Sequence, residues 1–286
     1  MAQPLDERLD AMSEPARLAD GTPCRIISAV DVTRLANEVG RSGCAIEIAA
    51  LARDIVPDRY LRNRGTLNAA DQIRLLQSRV CVVGLGGLGG LVTETLARMG
   101  IGRLRLIDGD RFEAHNLNRQ LLSTLDSLGT TKAAAAAGRV AAINPGIDVT
   151  VYGHFLTAAN APDAVFECDL VIDCLDNIPA RFTLQSAAQS AGIPLISAAV
   201  AGLSGHVTAI FAGDVGLETI YGPEDQLGAA KGEETRLGNP APGVNLIASL
   251  ECAEALRILL DRPGTLRNRL LAVDLNDYTF ETLNLA

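Results

Sequence analysis

The stretch Arg79-Val-Cys-Val-Val-Gly-Leu-Gly-Gly-Leu-Gly-Gly90 leaves the chain few ways to fold. Val80 to Val83 is a short apolar run that ends in glycine, which reads as a buried strand entering a tight turn. Leu88, Val92, Leu96 and Met99 then recur at helical spacing, so a helix follows the glycines at once. Glycine lets backbone approach a phosphate closely, and a helix N-terminus adds unpaired N–H groups and a positive dipole end. Such a pattern alone is a weak signal. Arg103-Leu-Arg-Leu-Ile-Asp108 strengthens it: a second strand ending in an aspartate, at about the spacing that holds an adenosine ribose. The two stretches together predict an adenine-nucleotide site and leave the chemistry open.

The 286 residues suffice for one large α/β domain with an appendage, or for two small domains. Hydrophobic content of 48% against 21% charged predicts a substantial core, and with 3% aromatics and no Trp that core must be Ala, Leu, Val and Ile. A net charge of −9 argues against nucleic acid as the main partner, since phosphate backbones require a basic footprint. The six cysteines (Cys24, Cys44, Cys81, Cys168, Cys174, Cys252) include no Cys-x-x-Cys pair and read as buried reduced thiols. The first residues are polar and mixed in charge, unlike a signal peptide, and no apolar run reaches the roughly 20 residues of a membrane span. A cytoplasmic protein with no membrane partner is expected.

Residues 1–57 show two helical patterns, Val30 to Val39 and Cys44 to Ile55, separated by Gly40 and Gly43 and closed by Pro57. A helix-turn-helix would need a basic second helix, and Ala45-Ile-Glu-Ile-Ala-Ala-Leu-Ala-Arg-Asp54 is apolar. The expectation is a helical N-terminal extension, 1–57, packed on a main domain, 58–286, or on a partner subunit. Asp58-Arg-Tyr-Leu-Arg-Asn-Arg64 is a dense basic patch in an acidic chain, and 66–78 reads as a helix. From Arg79 strands and helices alternate, which predicts an α/β, Rossmann-like, mostly parallel sheet with helices on both faces. Helices are expected at Thr131–Ile143, Ala180–Ala191 and Ser249–Leu260, and strands at Asp148–Tyr152, Leu170–Leu175 and Ile193–Val200. His206 to Phe211 alternates as an antiparallel edge does, and Leu270 to Leu285 reads as a terminal strand or hairpin, so antiparallel strands lie toward the C-terminus. Ala212 to Pro242, rich in Gly, Glu and Pro, reads as a long irregular loop.

Hydride transfer needs little beyond the glycine turn and the ribose aspartate. Here Asp108-Gly-Asp110 is followed by His115-Asn-Leu-Asn-Arg-Gln120, by Lys132 at a helix start, and by Asp176-Asn177 at a strand end. Converging cations with one carboxylate at a strand end suit a triphosphate with Mg2+. Singly, Arg119 or Lys132 reads as a surface charge and Asp176 as a helix cap. Their grouping around one fingerprint favours the functional reading.

These motifs resemble the MoeB/ThiF/HesA family, relatives of the ubiquitin-activating enzymes. The resemblance runs from Arg59 to about Asp261. It is carried by Gly84 to Gly89, Asp108-Gly-Asp110, Asn116-Leu-Asn-Arg-Gln120, Lys132, Asn144-Pro145, Asp173-Cys-Leu-Asp-Asn177 with Arg181, and Ser249-Leu-Glu-Cys-Ala-Glu254. It implies ATP-dependent adenylation of the C-terminal Gly-Gly carboxylate of a small ubiquitin-like (ThiS/MoaD-type) sulfur carrier, for sulfur transfer in cofactor biosynthesis. By the same resemblance Gly84, Gly86, Gly87, Gly89, Asp110, Asn118, Gln120 and Asn177 belong to the nucleotide site, and Asp108 holds the ribose. Asn116 and Arg119 contact phosphates, Lys132 neutralises them and Asp176 binds Mg2+. Arg62 of the basic patch would reach the ATP of the other subunit in a homodimer, and the carrier's tail would lie at the 212–242 loop.

Two departures qualify the resemblance. The family's two Cys-x-x-Cys pairs for structural zinc are replaced by Thr219-Ile-Tyr-Gly222 and Thr282-Leu-Asn-Leu-Ala286, so no zinc is expected. The segment Gly232-Glu-Glu-Thr-Arg-Leu-Gly238 holds no cysteine where many members form a thioester or persulfide, and Cys252 lies on an apolar helix. Adenylation without covalent transfer is expected, with sulfur delivered by another protein. The alternatives are an ATP-dependent tRNA-modifying dehydratase, disfavoured by the acidic balance, a nucleotide-binding scaffold without catalysis, and, more distantly, an NAD oxidoreductase.

Overall fold

A computed structural model describes residues 4–226 and 234–285. The first segment holds α1 (Leu5–Met12), β1 (Glu14–Arg17), β2 (Pro23–Ile27), α2 (Ala29–Val39), α3 (Gly43–Leu51) and β3 (Ile55–Pro57). Both expected helices are present and each is capped by a serine: Asp31 N donates to Ser28 Oγ at 3.0 Å and Ala45 N to Ser42 Oγ at 3.2 Å. The extension is not wholly helical, however. Its three strands form a small sheet in the order β1-β2-β3. They are three to five residues long, and Glu14-Pro-Ala-Arg17 and Pro23-Cys-Arg-Ile-Ile27 carry no period-2 alternation, so sequence pattern could not reveal them.

Leu9, Ile27, Val32, Leu35, Ile46, Ala50 and Ile55 give this segment its own apolar cluster. A second cluster, Cys44, Leu51, Tyr60 and Leu76, joins it to the rest of the chain. Within that joint Tyr60 Oη donates to Glu47 Oε2 at 3.1 Å and accepts from Asn144 Nδ2 at 2.9 Å, while Arg59 Nε lies 3.1 Å from Glu47 Oε1. Glu47 is fully buried. Burial pushes its carboxyl up to about 7, with Arg59 and Tyr60 pulling the other way. Tyr60→Phe should therefore cost about 1–3 kcal/mol, because it leaves a buried carboxylate oxygen and a buried amide without their partner. Urea denaturation would show this as a lowered midpoint at unchanged slope.

After a 3-10 turn over Asp58–Asn63 come α4 (Ala69–Gln77), β4 (Arg79–Val83), α5 (Gly87–Met99), β5 (Arg103–Ile107), α6 (Lys132–Ile143), β6 (Asp148–Tyr152), α7 (Ala161–Val165), β7 (Leu170–Asp173), α8 (Ile178–Ser190), β8 (Leu195–Ala201) and β9 (Ser204–Ile210). Then follow α9 (Glu218–Tyr221), α10 (Glu234–Leu237), α11 (Ala241–Leu259), β10 (Arg269–Asp274) and β11 (Thr279–Asn284). The eight strands β4 to β11 make one sheet in the order β11-β10-β9-β8-β7-β4-β5-β6. The five from β6 to β8 run parallel, and β8-β9, β9-β10 and β10-β11 pair antiparallel.

The strand predicted from His206 is antiparallel but is not an edge, because β10 returns across the sheet to pair with it. Alternation there reports two unlike faces, not a free side. The last long helix begins at Ala241 rather than Ser249. Pro242 and Gly243 look like loop residues, yet Pro is tolerated in a first helical turn. Gly243 is there for space: a Cβ would lie 2.7 Å from Gly202 O.

Side chains alternate across the sheet. Val80, Val82, Leu104, Leu106, Leu170 and Ile172 pack with residues of α5, α6 and α11. Cys81, Val83, Ile107, Val171 and Leu195 meet Val165 of α7 and Phe182, Leu184 and Ala188 of α8 on the other face. Gly138 sits exposed inside α6 with nothing within 4 Å of an added Cβ. Gly138→Ala should stabilise the protein by about 0.5–1 kcal/mol, which calorimetry would register as a raised Tm.

Candidate functional site

The strand order reverses at β4: β5 and β6 lie to one side of it, β7 and β8 to the other. In open α/β sheets the crevice beyond the carboxyl ends of two such strands is where ligands bind. A cavity of about 680 Å³ opens there, lined by the glycine turn after β4, by Asp108 to Asp110 after β5 and by Cys174 to Ile178 after β7.

The turn is held by tight packing. Gly84 has φ +88°, and a Cβ on it would lie 2.5 Å from Cys174 O. A Cβ on Gly89 would lie 1.8 Å from Gly84 O. Asp108 fastens the turn from the side: Leu85 N donates to its Oδ2 and Asp110 N to its Oδ1, both at 2.7 Å. Each carboxylate oxygen keeps a further lone pair for a ligand hydroxyl. Gly86 caps α5 with no side-chain hydrogen bond, and Gly86, Gly87 and Leu88 line the cavity. The open N-terminus of α5 thus forms part of its wall, with first-turn N–H groups suited to an anion.

Among the expected site residues, Gly84, Gly86, Gly87, Asp108, Asp110, Arg119, Gln120, Lys132, Asp176 and Asn177 all line this cavity. Lys132 is a buried cation whose Nζ lies 2.9 Å from Asp110 Oδ2. Arg119 is half-buried and donates to Asn118 Oδ1 at 2.9 Å and His115 O at 3.2 Å. Asn177 is the cap of α8, accepting from Ala180 N at 2.9 Å. Asp176 is exposed, and among the described residues its carboxylate has no hydrogen bond or ion pair. Gln120 is buried, and among the described residues its Oε1 has no donor.

Four expected residues do not line the wall. Gly89 lies beneath the turn as a packing residue. Asn116 is buried, with Oδ1 accepting from Glu113 N at 2.9 Å. Asn118 points to Arg119 and Asn239. Arg62 is exposed and outside the cavity of its own chain.

The cavity also runs on past the glycine turn, along Ala199 to Ala201 of β8, Ser204 to His206 of β9 and Ala272 to Asp274 of β10, and reaches Thr279 and Glu281 of β11. Sequence reasoning missed this lobe, because its residues come from strands far apart in the chain. His206 stands in its wall with its ring 6.3 Å from that of Tyr221. Burial, with help from the Arg181 charge, pushes the imidazole down to about 4, so it is neutral at pH 7. Arg181, noted in the sequence without a role, is buried beside Asp173 at 3.5 Å and donates to Ala198 O and Leu175 O. From the loop expected to meet a partner, Tyr221, Leu237 and Asn239 line the lobe. That loop carries α9, a 3-10 turn at Glu224–Gln226 and α10, and its residues 227–233, including the start of the cysteine-free segment, lie outside the described residues.

Among the described residues no three His, Cys, Asp or Glu side chains gather as metal ligands. Asp176 suits Mg2+ nonetheless, since that ion is commonly bound by one or two carboxylates with phosphate oxygens and water. Cys252 is buried, and burial pushes its thiol up to about 12, leaving no thiolate for chemistry at pH 7. Among the described residues no helix is long and apolar enough to cross a membrane.

The fold is that of an α/β protein with a doubly wound sheet, and the open helix N-terminus, buried lysine and exposed carboxylate at its switch point suit a polyanionic ligand. The ThiF family model matches residues 60–286, and the chain belongs to that family. It is 34% identical over 229 residues to a SAMP-activating enzyme E1 of Haloferax volcanii, covering 79% of this chain and 84% of that one. It is 35% identical over 236 residues to a sulfur carrier protein adenylyltransferase of Thermus thermophilus, covering 79% and 86%. The fold matches that of E. coli MccB, solved with ATP, at a TM-score of 0.67 and 23% identity over 80% of this chain and 72% of that one. The class of activity these relatives carry is that of this chain: it is an adenylyltransferase.

Proposed function

We propose that the protein uses ATP to adenylate the C-terminal Gly-Gly carboxylate of a small ubiquitin-like sulfur carrier of the ThiS/MoaD type, for sulfur transfer in cofactor biosynthesis in the cytoplasm. The observation that carries this reading is the continuity of the cavity, from the glycine turn and Asp176 into a lobe on the antiparallel strands. β7 and β10 are three strand spacings apart, about 14 Å, which an extended tail of about four residues spans. The lobe offers small walls, Ala199, Ala201, Gly205 and Ala272, suited to residues without side chains.

In this reading the turn and the α5 N-terminus take the phosphates, and Asp108 takes the ribose hydroxyls. Lys132 and Arg119 offset phosphate charge, with Gly86, Gly87, Asp110, Gln120 and Asn177 shaping the pocket. Asp176 would hold Mg2+ together with phosphate oxygens, and the ion would screen their charge from the incoming carboxylate. The carrier's carboxylate oxygen attacks the α-phosphorus, the bond to the bridging oxygen breaks, and pyrophosphate leaves with the electron pair. No protein nucleophile is needed, so positioning and fixed charge supply the acceleration. Sulfur comes from another protein. Arg62, exposed on the 3-10 turn, would complete the phosphate site of the other subunit in a homodimer whose subunits comprise the extension, 1–57, and the adenylation domain, 58–286.

ATP–pyrophosphate exchange with carriers ending in Gly-Gly tests the reading. Exchange with one carrier and none after its terminal glycine is removed is the expected result. ATP binding without exchange for any carrier would favour a nucleotide-binding scaffold. The dimer is tested by mixing Arg62→Ala with Asp176→Ala subunits: restored partial exchange supports a shared site, and none argues against it.

A further inference from the structure

Behind the end of β7 the structure buries more acid than it balances. Asp173 and Glu251 are both fully buried, and Arg181 is the guanidinium set among them. The two carboxyls are treated differently. Asp173 accepts from Leu175 N at 3.0 Å and Ser197 Oγ at 2.7 Å and faces Arg181 at 3.5 Å. Among the described residues Glu251, on α11, has one weak hydrogen-bond contact, Cys174 Sγ at 3.9 Å from Oε1, and its Oε2 has none. With one cation and two acids in a dry site, the poorly solvated acid is the one that keeps its proton.

Cys174, the residue Glu251 backs, is the post of the nucleotide site. Its carbonyl oxygen is what bars a side chain at Gly84, and its Cβ stands 3.2 Å from where a Cβ on Gly89 would be. Asp176 follows two residues later. Glu251 itself does not line the cavity.

We infer that Glu251 is a positioning residue for the nucleotide site: as an uncharged carboxylic acid it fills the space behind Cys174 and fixes the seam on which the glycine turn and Asp176 are set. Burial and the neighbouring Asp173 charge hold its carboxyl well above the usual carboxylate range, with Arg181 and Cys174 acting the other way. The charges that act on it thus come from β7 and α8. Among the described residues α5, β8 and β9, which also pack on α11, add none. This inference rests on the ATP reading for its ligand, but the protonation of Glu251 does not.

The test uses the full chain with Glu251→Gln, which keeps shape and neutrality, and Glu251→Ala, which removes the post. Titration calorimetry with Mg-ATP needs no carrier. Glu251→Gln should bind within about threefold of wild type near neutral pH, and Glu251→Ala at least about tenfold more weakly. Once the pH is high enough to ionise the acid, wild-type affinity should fall, while Glu251→Gln stays flat. Equal pH profiles in the two, or a Gln variant as weak as the Ala variant, overturns the inference.

Melting supplies an arm without nucleotide. An acid whose folded pKa is raised weakens the fold as pH climbs from its unfolded value toward its folded one. The Tm advantage of Glu251→Gln over wild type should therefore be at least about 3 °C larger near pH 9 than near pH 6. A constant difference overturns the inference even if the protein proves not to bind ATP. An absence of ATP binding alongside a growing difference would instead count against the adenylation reading.

Discussion

Replacing Asp176 by alanine should lower magnesium-dependent ATP–pyrophosphate exchange by about 10²–10³-fold and shift stability by no more than about 0.5 kcal/mol. The two halves of that expectation come from one feature. The carboxylate is exposed on the cavity wall and has no hydrogen bond or ion pair among the described residues. Nothing in the fold depends on it, whereas a metal-bound triphosphate would lose its protein oxygen. The neighbouring Asn177 gives the contrast. Its side chain caps α8, so Asn177→Ala should cost about 1 kcal/mol of stability. Exchange rate against Mg2+ concentration, with a denaturation curve for each variant, separates the two. An Asp176→Ala enzyme exchanging at the wild-type rate would remove Asp176 from the site.

The largest effect on stability is expected at Gly89, outside the cavity. Gly89→Ala should destabilise by about 3 kcal/mol or more, because its Cβ would fall 1.8 Å from Gly84 O, a backbone atom that is itself packed against Cys174. Relief requires α5 to move off β4, and with it the apolar contacts of Val92 and Leu96. Gly87→Ala meets a side chain instead: its Cβ would lie 2.9 Å from Val244 Cγ1. A rotation of Val244 would ease that contact, so the stability loss should be smaller and the loss of ATP affinity larger. Denaturant midpoints and calorimetry of the pair read the difference directly. Similar stability losses in both would mean that the turn is softer than its packing implies.

The sequence carried the central strands of the parallel half, β4 and β7, because each is a short buried run ending in glycine or carboxylate, and Lys132–Ile143 because alanine is a strong helix former. The glycine-turn end of the cavity was legible because it is built from the ends of local motifs, Gly84 to Gly87, Asp108 to Asp110 and Asp176-Asn177. Asn116 and Asn118 lie in a motif beside the cavity, but their side chains are taken by local bonds, a distinction that only coordinates reveal. The second lobe was not legible. His206, Asp274 and Glu281 meet through strand pairing across some 75 residues of chain, Tyr221 reaches them from α9, and no spacing records that register. The N-terminal strands were hidden by length and by proline.

The joint at Tyr60 has a mechanical side. α6 is a rod of about 18 Å whose first residue is Lys132, at the cavity wall. Its other end stops at Asn144, which donates to Tyr60 and through it reaches Glu47 of the N-terminal segment. Arg59 grips the same end through Ile143 O at 3.2 Å. A lever is only as steady as its far bearing. Among the described residues none of the first fifty lines the cavity, yet Glu47 helps clamp the tail of the rod that aims its buried cation. Anything that loosens or docks on that segment would be felt at the Lys132 end as a small change of angle.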